Sequence, residues 1–343
     1  MVLRVWTPCA PFGRVFFFCA IIKTMERFKS SKFIFVCGIG GSNLASKAVW
    51  NALTLNKATD KKVFFLESPD SREYEEVENF VKNAITSPDE VALIAASKSG
   101  STIETLETFH KTFDILSEKF GAPINKRALT ISEKDSPLWN LAEQKGFEKV
   151  EWPPEIGGRW SAFSAPHIPI LEIAGINTEQ FKNGSTSSPQ VGESAKVILE
   201  SKAEILDFFI FNVELEDLGK WCRQLIAESL ATFTPTVSIG PTDLHSMLEL
   251  YLEKPEKRFT VFVRSEKEID ESVNEQSYEN ITAEYHKRGL AFYKYEMPEI
   301  SEFELGKFMQ FMIDLTLELA KLLGVDPYDQ PEVEKYKNSL HNS

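Results

Sequence analysis

Several segments of this 343-residue chain carry residue types and spacings suited to chemistry. The densest is Ser97-Lys98-Ser99-Gly100-Ser101-Thr102-Ile103-Glu104-Thr105, where an apolar run gives way to a helical pattern. Hydroxyls, backbone N–H groups and one cation at a helix N-terminus suit a phosphate dianion. The plainer reading is that Ser and Thr cap the helix while Glu104 offsets its dipole, but capping needs one such residue, not five. Gly38-Ile39-Gly40-Gly41-Ser42 also lies between a strand and a helix. Its glycines let backbone N–H groups approach an anion, and on its own it leaves phosphosugar, nucleotide and plain tight turn open. Against the nucleotide reading, Asn43 stands where a dinucleotide loop has its third glycine, and no GxxxxGK[ST] occurs.

Three further segments offer charge. In Ile156-Gly157-Gly158-Arg159-Trp160-Ser161 a glycine turn projects a permanent cation, able to stabilise an oxyanion or simply to sit at the surface. The stretch from Asp217 to Ala231 reads as a helix whose inward stripe is Leu218, Trp221, Cys222, Leu225 and Ser229. Gln224 and Glu228 lie four apart on the edge of that stripe, where a partly desolvated carboxylate can act as a general base. The alternative is a solvated flank glutamate. Gly240-Pro241-Thr242-Asp243-Leu244-His245-Ser246 puts a histidine at a helix start, equally suited to acid–base work or a structural role. Asp326-Pro327-Tyr328-Asp329-Gln330-Pro331 and the residues to Lys337 read as a proline-punctuated helix exit.

The elements around these segments alternate. Short apolar runs at 33–36, 63–66, 91–96 and 127–131 read as strands, with helices to about 53, at 71–84 and at about 102–119. Runs without polar alternation suit strands covered on both faces, hence a parallel α/β sheet. Residues 177–191, with Asn183-Gly184-Ser185-Thr186-Ser187-Ser188-Pro189, are the most linker-like. A second α/β unit follows: strand 205–212, helix 217–231, a loop to about 243, helix 244–252 and strand 259–263. A long amphipathic helix spans 302–324. The expected organisation is an extension over 1–24, a first domain over 25–185, a second over 186–300, and a C-terminal helix and tail over 301–343.

Composition limits the partners. With 38 basic against 51 acidic residues the net charge is -13, which repels nucleic acid and anionic membrane. An anionic substrate must therefore be held by locally placed donors. Cys9, Cys19, Cys37 and Cys222 show no CxxC pairing and fit a reducing compartment, and the histidines show no metal-ligand spacing. The run Val15–Ile22 after Arg4 and Arg14 is a poor match to a signal peptide, and a working start near Met25 is the preferred reading. No apolar stretch is long enough to span a membrane.

Taken in order, the six segments resemble the glucose-6-phosphate isomerase (phosphoglucose isomerase) family, from about Phe33 to Lys337. Gly38–Ser42 resembles GIGGS, Ser97–Thr105 resembles SK[ST]GTTxET, and Ile156–Ser161 resembles VGGR[FY]S. Gln224–Ser229 is similar to QLxxES, Gly240–Ser246 to GxxDxHS, and Pro327–Lys337 to PFDQPxVExxK. The resemblance implies two sugar-isomerase (SIS) domains, each a three-layer α-β-α sandwich with a parallel sheet, plus a C-terminal helix and tail. It implies a cytoplasmic homodimer acting on a sugar phosphate, without cofactor or metal. Ser97, Lys98, Ser99, Thr102 and Thr105 would hold the phosphate, while Gly41, Ser42, Gly158, Gln224 and Gln330 would line the sugar site. Glu228 would move the proton between C1 and C2 and Arg159 would stabilise the cis-enediolate. His245, reaching in from the other subunit, and Lys337 would assist ring opening.

Proton abstraction beside a carbonyl needs one carboxylate and one fixed cation, and neither metal nor nicotinamide. Departures from the family pattern are Leu244 and Glu249 where Gln is usual, and Ala231-Thr232 in place of Gly-Lys. Fewer residues than usual precede the first strand. A bifunctional phosphoglucose/phosphomannose isomerase and a non-catalytic SIS-type sensor are the rival readings. A sensor needs the hydroxyl loop but not Glu228, Arg159, His245 and Lys337 together.

Overall fold

Val91–Ala96, six apolar residues without a polar break, are all buried and form the centre of a parallel sheet. The computed structural model describes residues 26–255, 257–267, 273–333 and 335. The readings made for residues 1–24 and for Lys337 fall outside these. Two compact units result.

The first unit comprises residues 26–39, 60–154 and 165–175. Its five-stranded sheet has the order β2-β1-β3-β4-β5, where β1 is Phe33–Cys37, β2 Lys62–Leu66, β3 Val91–Ala96, β4 Ala128–Ser132 and β5 Glu148–Glu151. All pairings are parallel, with Phe33 opposite both Lys62 and Val91. Because β1 pairs with β2 on one side and β3 on the other, strand order reverses between β1 and β3. Open α/β sheets bind ligands beyond the carboxyl ends of strands at that reversal, and Ser97 follows β3 directly. Helices Ser71–Ala84, Ile103–Phe120 and Pro137–Lys145 also belong here. Phe109, Leu116, Val77 and Val81 bury against Phe35, Leu93 and Ala95. At the amino ends of the strands Arg127, 5 % exposed, donates from Nε to Val91 O at 2.7 Å and from Nη2 to Ser31 Oγ at 2.6 Å and Asp89 O at 3.0 Å.

The second unit comprises 40–59, 155–164 and the described residues from 176 onward. It is not contiguous: 40–59 and 155–164 lie inside the span 25–185. Its four-stranded parallel sheet has the order β7-β6-β8-β9, with β6 at Ile205–Ile210, β7 at Thr234–Ile239, β8 at Arg258–Ser265 and β9 at Phe292–Met297. Numbered in chain order, the helices α1 to α12 are Leu44–Thr54, Ser71–Ala84, Ile103–Phe120, Pro137–Lys145, Ile168–Ile173, Thr178–Gly184, Val191–Glu200, Glu216–Leu230, Asp243–Ser246, Leu248–Glu253, Val273–Arg288 and Glu302–Leu323. Helix α12 starts where Ser301 Oγ accepts from Glu304 N at 3.3 Å and stops at Gly324, φ 71°.

Two expectations need correction. Residues 177–191 are not a linker throughout, since α6 occupies Thr178–Gly184. Asn177 caps it through Gln180 N at 3.1 Å, and Phe181 is fully buried, so one apolar anchor and one cap outweigh a polar composition. The loop expected between 231 and 243 contains β7. Pro235 marks it as an edge strand, the position in a sheet that tolerates proline. Among the described residues no helix is long and apolar enough to cross a membrane.

Candidate active site

In the first unit the hydroxyl loop bridges β3 and α3. Ser97 is buried and its Oγ lies 2.9 Å from Thr102 Oγ1. Thr102 occupies the N-cap position of α3 yet makes no capping bond with its side chain, so capping does not account for the hydroxyl density. Ser99 Oγ accepts from Ser101 N at 3.3 Å and from Ser101 Oγ at 3.0 Å. Thr105 is 2 % exposed, and its Oγ1 has no hydrogen-bond partner among the described residues. The first N–H groups of any α-helix lack intrahelical partners, and this 18-residue helix opens its N-terminus on the loop. Gly100 has φ 64°, and a Cβ there would meet Ser136 Oγ at 2.4 Å, so the turn requires glycine. Lys98 turns toward Glu133 at 3.7 Å and donates to Pro154 O at 2.6 Å.

In the second unit two glycine segments and α8 build a charged cluster. A Cβ on Gly41 would stand 2.6 Å from the carbonyl carbon of Gly158 and 2.8 Å from Arg159 N. Only glycine permits that approach, and it delivers Arg159 toward α8. The sequence stripe of α8 is buried throughout: Leu218, Trp221, Cys222, Leu225 and Ser229 are each at most 4 % exposed. Gln224 and Glu228, one turn apart beside that stripe, are half-buried. Gln224 Nε2 donates to Glu228 Oε1 at 2.8 Å and Gln330 Nε2 donates to Glu228 Oε2 at 3.1 Å. Glu228 is thus no solvated flank residue: both carboxylate oxygens are held.

Arg159, 5 % exposed, donates from Nε to Ser229 Oγ at 2.9 Å and from Nη2 to Pro327 O at 2.6 Å, with Nη1 3.6 Å from Glu228 Oε2. Burial lowers its pKa, while Glu228, Asp326 and Tyr328 act to raise it. Arginine titrates so high that it stays charged. The arrangement is a fixed carboxylate beside a fixed cation, suited to moving a proton while stabilising a negative charge.

Ser42 ends the short turn Gly40–Ser42 and is half-buried. His245 lies exposed on α9, a single turn held by Asp243, whose Oδ2 accepts from Ile239 N at 2.7 Å. Among the described residues no hydrogen bond or ion pair joins His245 to the Glu228 cluster. Sequence reasoning missed Ser229 as an anchor for Arg159, the Pro327 carbonyl, and the ring pair Trp160–Tyr328 at 5.4 Å. The adjacency of Ser229 to Glu228 was the one available signal, because a main-chain carbonyl leaves none. Among the described residues no group of His, Cys, Asp or Glu could hold a metal ion.

Comparison with known proteins identifies the family. The chain is 26% identical over 373 residues to the glucose-6-phosphate isomerase of Fusobacterium nucleatum, covering 94% of this chain and 82% of that protein. It is 25% identical over 379 residues to the enzyme of the same description from Shouchella clausii, with the same coverage. The crystal structure of a glucose-6-phosphate isomerase from Chlamydia trachomatis superposes with a TM-score of 0.79 at 15% identity, covering 99% of this chain and 76% of that one. Glucosamine-6-phosphate deaminase from Thermotoga maritima, at a TM-score of 0.52 and 16% identity, has a related fold. The sequence model of the family described as phosphoglucose isomerase matches residues 22–203, more than half of the chain, and this protein therefore belongs to the phosphoglucose isomerase family.

Proposed function

We propose that this protein interconverts D-glucose 6-phosphate and D-fructose 6-phosphate as an aldose–ketose isomerase. The observation that carries the reading is the Glu228 carboxylate, held by two amides with the Arg159 guanidinium 3.6 Å away. In the open-chain aldose the Glu228 carboxylate takes the C2 proton. The bonding pair moves into C1–C2, and the charge on O1 becomes that of a cis-enediolate stabilised by Arg159. The proton on O2 passes to O1 as Glu228 returns its proton to C1, the C1–C2 pair taking that proton while C2–O2 becomes the carbonyl, and the ketose results. Gln224 and Gln330 hold the base, and Gly41, Ser42 and Gly158 line the sugar site. Ser97, Lys98, Ser99, Thr102 and Thr105 take the phosphate, whose binding energy positions the reacting carbons. His245, from the second subunit of a homodimer, and Lys337 assist ring opening. The protein works in the cytoplasm, in glycolysis and gluconeogenesis.

A coupled assay with fructose 6-phosphate and mannose 6-phosphate tests this on wild type and Glu228→Gln. Turnover of the fructose ester that is lost in the variant is expected. Unchanged turnover in Glu228→Gln removes the base assignment, and turnover of the mannose ester makes the enzyme bifunctional. A fully active monomer by solution mass contradicts the shared role of His245.

A further inference from the structure

Each of the two charged groups in the site is held twice, once by α8 and once by the chain after α12. Gln224 on α8 donates to one oxygen of Glu228, and Gln330 from the tail donates to the other. Ser229 on α8 accepts from Arg159 Nε, and the carbonyl of Pro327 in the tail accepts from Nη2. The tail is thus half of the scaffold for both groups, but it follows the end of a helix at Gly324 and is polar and exposed over Asp326, Tyr328 and Asp329. Something must fix it. Asp326 Oδ1 accepts from Tyr328 N at 2.9 Å, which shapes the turn but does not attach it to anything else. Beyond its bonds to Glu228 and Arg159, the attachment found among the described residues is aromatic: the Tyr328 ring lies 5.4 Å from Trp160, tilted 49°. Trp160 in turn follows Arg159 and lies 5.7 Å from its guanidinium. Tyr328 is 55 % exposed, so burial in a core does not explain its placement.

We propose that Trp160 and Tyr328 form an aromatic clasp that positions Gln330, and through it the Glu228 carboxylate, for the isomerase reaction. Both are positioning residues, and the inference rests on Glu228 being the base. Losing the clasp frees the Pro327–Gln330 strap and lets the carboxylate turn about its remaining bond to Gln224. Substrate is still captured by the hydroxyl loop, so the effect falls on the chemical step.

The test is a cycle of Tyr328→Ala, Gln330→Ala and their double variant, with Tyr328→Phe as the conservative change. An aromatic pair supports a loss of about 2- to 12-fold. Tyr328→Ala is therefore expected to lower kcat by roughly 3- to 10-fold with KM within about twofold, while Tyr328→Phe, which keeps the ring, stays near wild type. On a Gln330→Ala background, Tyr328→Ala should slow the enzyme less than it does alone, since only the Pro327 carbonyl is then left for the strap to deliver. Multiplying effects in the double variant, a Phe variant as slow as Ala, or a loss confined to KM each overturn the clasp. Trp160→Leu supplies an independent arm of the same cycle should Tyr328→Ala be recovered unfolded. If Glu228→Gln is inactive and the cycle is additive, the clasp alone fails. If Glu228→Gln turns over normally, the base assignment fails with it.

Discussion

Arg159→Lys separates charge from shape at the site. Lysine keeps the positive charge but replaces a planar five-donor fork by one ammonium, which cannot serve Ser229 and Pro327 together while facing Glu228. In the wild type the nearest guanidinium nitrogen is 3.6 Å from Glu228 Oε2. At an effective dielectric constant of about 20 that separation corresponds to roughly 5 kcal/mol, an upper figure. Glu228 is 31% exposed, and solvent screens the pair further. The enediolate is where the geometry counts, because removing one fixed donor to a developing oxyanion typically costs about 3–4 kcal/mol. Displacing a reacting partner by about 1 Å costs on the order of 10²-fold. Arg159→Lys should therefore lower kcat about 10²-fold in the coupled fructose 6-phosphate assay, and one buried acceptor, Ser229 Oγ, with one half-buried acceptor, Pro327 O, left unpaired should cost about 1–3 kcal/mol of stability. Measured below the unfolding transition, with the folded fraction checked by circular dichroism, a kcat within about threefold of wild type would refute the claim that the fork is needed. Ser229→Ala is the companion, leaving the cation but freeing Nε, with an expected cost of about 1 kcal/mol or roughly fivefold in kcat.

Other predictions follow from the same geometry. Gly41→Ala places a Cβ 2.6 Å from Gly158 and 2.8 Å from Arg159 N; moving that backbone should cost about 1–3 kcal/mol and lower kcat more than the loss of folded protein explains. Arg127→Met takes one of two donors from Val91 O and Asp89 O, which keep the Ser31 and Ser30 hydroxyls, and removes the donor to Ser31 Oγ; it should lower stability by about 1–3 kcal/mol while kcat per folded molecule is unchanged. Glu90 has its pKa lowered to about 2, chiefly by its bond to Lys32, with the Thr86 and Ser87 amides and the Thr86 hydroxyl adding to the effect. A depressed folded value means stability that is present above the ordinary carboxylate range and lost as pH falls through about 2. Wild type should thus exceed Glu90→Gln in urea midpoint at neutral pH and converge with it in acid; a constant gap would show that the charge is not the cause.

The sequence announces what local pattern can announce. β1 and β3 are continuous apolar runs, and the α8 stripe is periodic, so their placement was readable. Two of the edge strands were not: Glu148–Glu151 is charged at three of four positions, and Thr234–Ile239 contains proline. Each pairs on one side only and carries little of the burial signal on which strand reading depends. Helix α11 buries Tyr278, Ile281, Thr282 and Tyr285 at helical spacing, but with two tyrosines and a threonine among the four the stripe has little apolar contrast in the sequence. In the site, the glycines, Arg159, Gln224 and Glu228 stood out by type and spacing. Their interplay did not, since Gln330 reaches Glu228 across 102 residues and Pro327 takes part through its main chain. Polar contacts of that separation leave no period in the sequence.

The double anchoring of base and cation explains why the site draws on so few elements. A glutamate and an arginine each have several rotatable bonds, and ordering such side chains costs about 1.5–2 kcal/mol apiece. Holding Glu228 by one α8 amide and one tail amide, and Arg159 by one α8 hydroxyl and one tail carbonyl, meets that cost in advance of the reaction. The base and the cation then share both supports, so a small shift of α8 carries them together and preserves the 3.6 Å between them. A shift of the tail alone does not, because α8 keeps its half of each grip while the tail withdraws the other. Core substitutions under α8 should therefore act mainly on stability, whereas changes confined to Pro327–Gln330 act on turnover in a protein that remains folded.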